Sequence, residues 1–299
     1  LEKGMFHLRA GQQFVGFGKS GFDAQDSGLT LMTKGAVPVT VFMMVDNDGG
    51  SKVASDAFYY GANVGHKTDT YSANVFFAGQ KNKSAEYDIL GTDLDVEEEF
   101  YVTGVTFATQ IADMLNLYAE IEYFFGDATF VATNDEVDAY GLQAIVDVSA
   151  AVAETVTIGG QFFYAMGDDE DYQVVKLGNS FNGWDPIFAL GTGLDNEQIN
   201  VYSPYSVLGN GAGIYAGRFY ASVKATDAVT FAGSAFYGAA DEKDRASYKD
   251  VMAFGAGMSY AVMANTSLGV QLQYSDYSKE LAAEDQDKFE AGVGLFVNF

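Results

Sequence analysis

The side chains best equipped to act on a solute recur in this chain at alternate positions. His7 and Arg9 lie two apart, with Gln13 four further on. Glu120 and Glu122, Gln143 and Asp147, and Gln271 and Gln273 keep even spacings, and Lys34, Arg218, Lys224 and Glu290 sit at matching places in similar stretches. An even step puts such residues on one face of an extended strand, so they form walls and not a single reacting centre. Walls of both signs would set a transverse field across water between them, orienting dipolar solutes and setting ion preference. Plain solvated charges are the simpler alternative.

Catalysis finds little support. The chain has no cysteine and two histidines, His7 and His66, which removes thiol chemistry and leaves any serine nucleophile one of two bases. Neither histidine has a serine and an acid nearby in a recognisable frame. No zinc, phosphate-loop or dinucleotide signature is present, so no enzymatic activity is expected. Cations are a separate matter. Asp46-Asn47-Asp48-Gly49-Gly50 begins like a calcium loop but lacks the later bidentate glutamate, and Glu97-Glu98-Glu99 and Asp168-Asp169-Glu170-Asp171 are carboxylate runs. These read as solvated surface. No metal site or cofactor is expected, with calcium or magnesium bound weakly at acidic loops as the alternative.

The elements that must position these residues are strands. The 299 residues hold 34 glycines, 3 prolines and 15% aromatics, with a formal net charge of -25 and 16 Lys plus Arg. That charge excludes nucleic acid, whose phosphates require clustered cations. Mean hydropathy is zero and no apolar run reaches helix-spanning length. Alternation dominates instead. Phe289, Ala291, Val293, Leu295, Val297 and Phe299 share a face, opposite Glu290, Gly292, Gly294, Phe296 and Asn298. Leu115 to Phe125, Val156 to Met166 and Leu268 to Tyr274 repeat the pattern. About fourteen such segments follow from this reading: 5–15, 28–34, 37–46, 56–67, 69–80, 96–110, 114–126, 136–150, 154–167, 211–225, 228–240, 249–263, 266–277 and 286–299. Their connections alternate between tight turns and longer polar stretches.

Strands beyond ten residues, an apolar face and connections sorted by length predict an all-β chain, a transmembrane antiparallel up-and-down β-barrel forming one domain over 1–299. Aromatics near strand ends (Phe14, Phe58, Tyr59, Tyr60, Phe76, Phe77, Phe100, Tyr101, Tyr123, Phe124, Phe125, Phe162, Phe163 and Tyr164) read as interfacial girdles. The apolar face then meets lipid, and the opposite face, carrying the residues named at the outset, lines the pore. Segment 15–27, with Gly16, Gly18, Gly21, Asp23 and Asp26, is expected as an inward constriction loop, an ordinary surface loop being the alternative. Segment 168–210 is expected as a long extracellular loop. An extracellular β-sandwich or β-solenoid is the competing architecture.

The C-terminal pattern of Phe289, Val293, Leu295, Val297 and Phe299 resembles the assembly signal of Gram-negative outer-membrane proteins. The run Gly4-Met5-Phe6-His7-Leu8-Arg9-Ala10-Gly11-Gln12-Gln13 is similar to the strand before the constriction loop in general and alginate-export-type porins, departing from it at Gln12, where arginine is usual. Phe181 to Phe188 resembles a loop of the alginate-export-type group. The resemblance implies a porin in the outer membrane of a Gram-negative bacterium, passing small hydrophilic solutes and ions by diffusion. It implies outer-membrane lipid, lipopolysaccharide and the barrel assembly machinery as partners, assembly as a homotrimer, and sixteen or eighteen strands where further strands precede the first. A substrate-specific channel or exporter for an oligosaccharide or an apolar compound stays open, as does a structural or surface-interaction barrel.

Overall fold

A computed structural model describes residues 2–19, 21–46, 57–89, 92–112, 114–167, 172–173, 212–281 and 284–297. Strands account for nearly all of them: β1 Glu2–Lys3, β2 Phe6–Phe17, β3 Phe22–Thr33, β4 Val39–Asp46, β5 Ala57–Lys67, β6 Tyr71–Ile89, β7 Thr92–Ala112, β8 Leu115–Phe130, β9 Asp135–Ala153 and β10 Val156–Ala165. They continue with β11 Tyr172–Gln173, β12 Ile214–Lys224, β13 Val229–Ala239, β14 Tyr248–Met263, β15 Thr266–Lys279 and β16 Gln286–Val297. Setting aside the two-residue β1 and β11, these are the fourteen segments that alternation predicts. A single 3-10 turn, Lys243–Arg245, is the one helical element among the described residues. No helix there is long and apolar enough to cross a membrane.

Sheet order follows chain order, and β11 lies parallel to β9 through Tyr172 with Ala139 and Gln173 with Tyr140. Among the described residues, no pairing joins β16 to the first strands. By contacts the chain forms two compact units, 1–109 with 119–144 and 170–183, and 110–118 with 145–169 and 184–299.

Within the first unit, β2 to β7 pair antiparallel in sequence. Several spans depart from expectation. Segment 15–27 is not a loop, because Val15 to Phe17 complete β2, Phe22 to Ser27 belong to β3, and only 18–21 turn. Lys34 lies in the turn after β3, not on it. The polar stretch 81–95, expected as a loop, extends the β6/β7 hairpin to Ile89 opposite Thr92. In the second unit β10, β12, β13, β14, β15 and β16 pair antiparallel through long, regular registers.

Tight turns are held by threonine hydroxyls. Thr68 Oγ1 accepts from the amides of Thr70 (3.3 Å) and Tyr71 (3.1 Å), and Thr226 Oγ1 accepts from those of Ala228 (3.2 Å) and Val229 (3.0 Å). The side chain thereby takes the place of a backbone acceptor at the reversal.

Alternation sorts the faces. On β16, Phe289 and Val293 are each 67% exposed and Leu295 64%, while Gly292, Gly294 and Phe296 turn to the other side. An extended row of exposed apolar side chains has no stable place in water. It suits hydrocarbon, where backbone groups satisfied by neighbouring strands meet the demand of a solvent that offers no hydrogen bonds.

Candidate pore-lining surfaces

In the first unit the inward face is largely dry. Phe17, Phe22, Phe42, Tyr59, Phe76, Phe100 and Phe124 are all buried, together with Val15, Met44 and Val102. This corrects the girdle reading for Tyr59, Phe76, Phe100 and Phe124, and Phe163 in the other unit is likewise fully buried. Their neighbours Phe77, Tyr101, Tyr123 and Phe125 face outward as a stacked ladder with centroids 5.3–5.9 Å apart.

The dry core exists because the β2/β3 hairpin folds onto it. Among the described residues β3 pairs with β4 from Ser27 to Met32, while Phe22 to Asp26 are paired to β2. The change falls where Gly11, at φ +103°, faces Gly28. A Cβ on Gly28 would stand 2.2 Å from the Met43 carbonyl oxygen, so the backbones approach there as no other residue permits. Beyond this crease the Phe22 ring lies 5.1 Å from Phe42 and 6.2 Å from Tyr59, and Phe17 lies 5.7 Å from Phe76.

At the tip, the Lys19 amide donates to both carboxylate oxygens of Glu120, at 3.0 and 2.7 Å. A Cβ on Gly18 would fall 2.5 Å from Glu120 Oε1, and one on Gly21 would fall 2.0 Å from Glu122 Oε1. Gln143 Nε2 in turn donates to Glu122 Oε2. Glu120, Glu122 and Gln143 thus meet on the inward face, but under the hairpin tip and not along an open wall. Gln13 is buried on the same face of β2, while His7 and Arg9 lie further down it, half-buried and exposed. Asp23 and Asp26, the carboxylates expected in a constriction, fall on opposite faces of β3, Asp23 buried and Asp26 partly exposed.

The second unit carries a polar inward face. Asp147 Oδ2 accepts from Gln161 Nε2 at 2.6 Å and its Oδ1 from the Tyr220 hydroxyl at 2.8 Å. Arg218 Nη1 donates to Gln161 Oε1 at 3.3 Å, and its guanidinium lies 4.8 Å above the Tyr220 ring. The ring rests on Gly159, where a Cβ would be 2.2 Å from Tyr220 Cζ. Asp147 and Arg218, chosen from sequence, therefore belong to one network. Gln161, which joins them, lies on the face that alternation sets opposite Phe162 and Tyr164, whereas Tyr220 is an aromatic that the pattern alone does not mark as part of a polar wall. Gln271 and Gln273 follow on β15 and are buried, and Glu290 on β16 takes Lys288 Nζ at 3.0 Å. Lys224 sits at the exposed end of β12 and pairs with Asp227 of the turn at 2.9 Å, so it marks a rim and not a wall. The Asp227 carboxyl is held below the usual carboxylate range by the Lys224 hydrogen bond and then by its charge.

Among the described residues, no group of three or more His, Asp or Glu side chains is placed to hold a metal ion. Glu98 is buried inward, whereas Glu99 faces away and pairs with Lys81 at 2.5 Å. Asn47 to Gly50, Asp168 to Asp171, Phe299, and all of 168–210 except Tyr172–Gln173 lie outside the described residues.

Two solved structures share this architecture. OccK11 (OpdR) of Pseudomonas aeruginosa matches with a TM-score of 0.55 at 11% identity over 99% of this chain and 78% of its own. OccAB1 of Acinetobacter baumannii matches with a TM-score of 0.57 at 13% identity over 98% of this chain and 73% of its own. The fold is that of the Gram-negative outer-membrane β-barrel porins. DcaP, an outer membrane channel of Acinetobacter baumannii, aligns at a TM-score of 0.48 with 11% identity, over 92% of this chain and 86% of its own. No protein-family model matches the chain, and no curated protein matches it. The porin fold explains the two faces together. Its outer side is the exposed apolar row required by an outer membrane.

Proposed function

We propose that this chain forms a passive channel for small hydrophilic solutes and ions. One observation carries the reading: Asp147, Gln161, Arg218 and Tyr220 form a hydrogen-bonded polar surface on strands whose opposite face exposes Phe162, Tyr215 and Phe219. A polar inner wall behind an apolar outer one is what a solvated passage through lipid needs. Insertion by the barrel assembly machinery, contact with lipopolysaccharide and assembly as a homotrimer belong to the same proposal, as do weakly held calcium or magnesium ions at acidic loops.

The net charge of -25 gives the passage a negative field and favours cations. Reconstitution of the purified protein in planar bilayers tests both parts. Discrete open steps are expected, with a salt-gradient reversal potential of the sign for cation preference. A silent bilayer containing correctly inserted protein removes the channel reading, and an anion-selective potential removes the electrostatic one.

A further inference from the structure

Away from the strand ends, four charged side chains among the described residues fall on the inward face of the second unit: Asp147 on β9, Arg218 on β12, and Lys288 and Glu290 on β16. Two of each sign would cancel if all were presented alike, but they differ in depth. Lys288 Nζ and Glu290 Oε1 meet at 3.0 Å with side chains 29% and 18% exposed, so an ion near β16 meets both charges together. Arg218 is only 4% exposed, its guanidinium 4.8 Å from the centre of the Tyr220 ring, whereas Asp147 keeps part of its surface open.

Hydrogen bonds fix this arrangement. Gln161 stands opposite Arg218 in the β10/β12 register, and its amide has one consistent orientation: Oε1 accepts from Arg218 Nη1 at 3.3 Å, and Nε2 donates to Asp147 Oδ2 at 2.6 Å. Tyr220 stands opposite Gly159, whose missing side chain leaves room for the ring, and its hydroxyl donates to Asp147 Oδ1 at 2.8 Å. Both carboxylate oxygens are held, so the charge has a fixed place on the wall. Gln161 and Tyr220 are themselves partly exposed, which puts the whole rim of the carboxylate at the surface of the face.

The force of a charge on a passing ion falls with distance and with the water and salt between them. Arg218 and Asp147 therefore act on that ion as a dipole whose negative end is the nearer one. We propose that Asp147 is the residue of this wall that selects cations over anions, with Gln161 and Tyr220 as positioning residues. This rests on the channel reading and goes further, because it traces the preference to one carboxylate where the net charge of the chain would spread it over all of them.

The test is the reversal potential of the full chain in planar bilayers under a potassium chloride gradient. Around 0.1 M salt, where charges act over about 10 Å, Asp147→Asn is expected to lower the preference for potassium over chloride about threefold, and near about 1 M the difference is expected to shrink. The chain has no cysteine, so Asp147→Cys supplies a single thiol for charged methanethiosulfonates. That variant is expected to match Asp147→Asn, to regain the wild-type preference with a sulfonate-bearing reagent, and to move further toward anions with an ammonium-bearing one. Gln161→Leu and Tyr220→Phe keep the carboxylate but loosen it, and are expected to fall between the wild type and Asp147→Asn. Folding of each variant is checked by its heat-dependent shift on gels. Open steps with wild-type selectivity in Asp147→Asn, or an Asp147→Cys channel that neither reagent alters, overturn the assignment and leave the channel standing. Wild-type selectivity in both Gln161→Leu and Tyr220→Phe removes the positioning role. A silent bilayer holding inserted protein overturns the channel and the assignment with it.

Discussion

Removing the Phe22 side chain is expected to release the inward hairpin without unfolding the rest of the sheet. Phe22 is 2% exposed and its ring contacts those of Phe17, Phe42 and Tyr59 at centroid distances of 6.0, 5.1 and 6.2 Å. A buried Phe→Ala change costs about 3–5 kcal/mol. Here that cost falls on the docking of the tip, because among the described residues Phe22 to Asp26 pair with β2 and not with β4, and the rings of Phe22 and Phe17 pack on Phe42 and Phe76. What remains on release is a two-stranded hairpin, which is marginal by itself. At about 1.4 kcal/mol per factor of ten, the open population should rise between a hundredfold and a few thousandfold. Hydrogen exchange of the protein in micelles, followed on peptides covering Gln12 to Ser27, reads that population directly. The expected result is exchange faster by at least a hundredfold in Phe22→Ala over those peptides, with β12 to β16 unchanged. A rise below tenfold, or one shared equally by the whole sheet, would refute the claim that aromatic docking and not strand pairing holds the tip.

Other expectations follow from single contacts. Gly28→Ala would place a Cβ 2.2 Å from the Met43 carbonyl oxygen and 2.6 Å from Met44 Cγ, and is expected to destabilise by about 1–3 kcal/mol in urea titration of the folded protein. Leu272, outward on β15, should tolerate Val, whereas Leu272→Arg is expected to lower folding stability in lipid vesicles by about 2–4 kcal/mol, as for a cation near the bilayer midplane. Asp227 has its carboxyl pulled down by Lys224, so whatever the pair contributes is present above the unfolded carboxyl's range and lost as the pH falls through the folded one. Because Asp227 is fully exposed, Asp227→Asn is expected to leave the unfolding midpoint unchanged at neutral and acid pH alike, and a loss confined to neutral pH would show the pair to be stronger than an exposed one should be.

Why the strands were legible and the inner surface was not comes down to what each face touches. Lipid accepts only apolar side chains, so outward positions such as Phe289, Val293 and Leu295 write a period of two that survives without any structure. Where strands project past that layer, neither face is constrained, the period vanishes, and the 81–95 hairpin reads as loop although its register continues to Ile89 and Thr92. Inward positions obey a different rule, set by whatever lies across from them. Phe76 and Phe77, Tyr59 and Tyr60, or Phe124 and Phe125 are adjacent aromatics that look alike in sequence, yet the first of each pair is buried against an apolar partner and the second is not. That partner includes a hairpin tip from a hundred residues away, seated through the Lys19 amide on Glu120, and no local pattern announces it. The glycines do carry a trace of it. Gly18 takes φ +72° at the turn, and a Cβ there or at Gly21 would make the Glu120 or Glu122 carboxylate shift, so these two glycines mark the place where the tip and the carboxylates come closest.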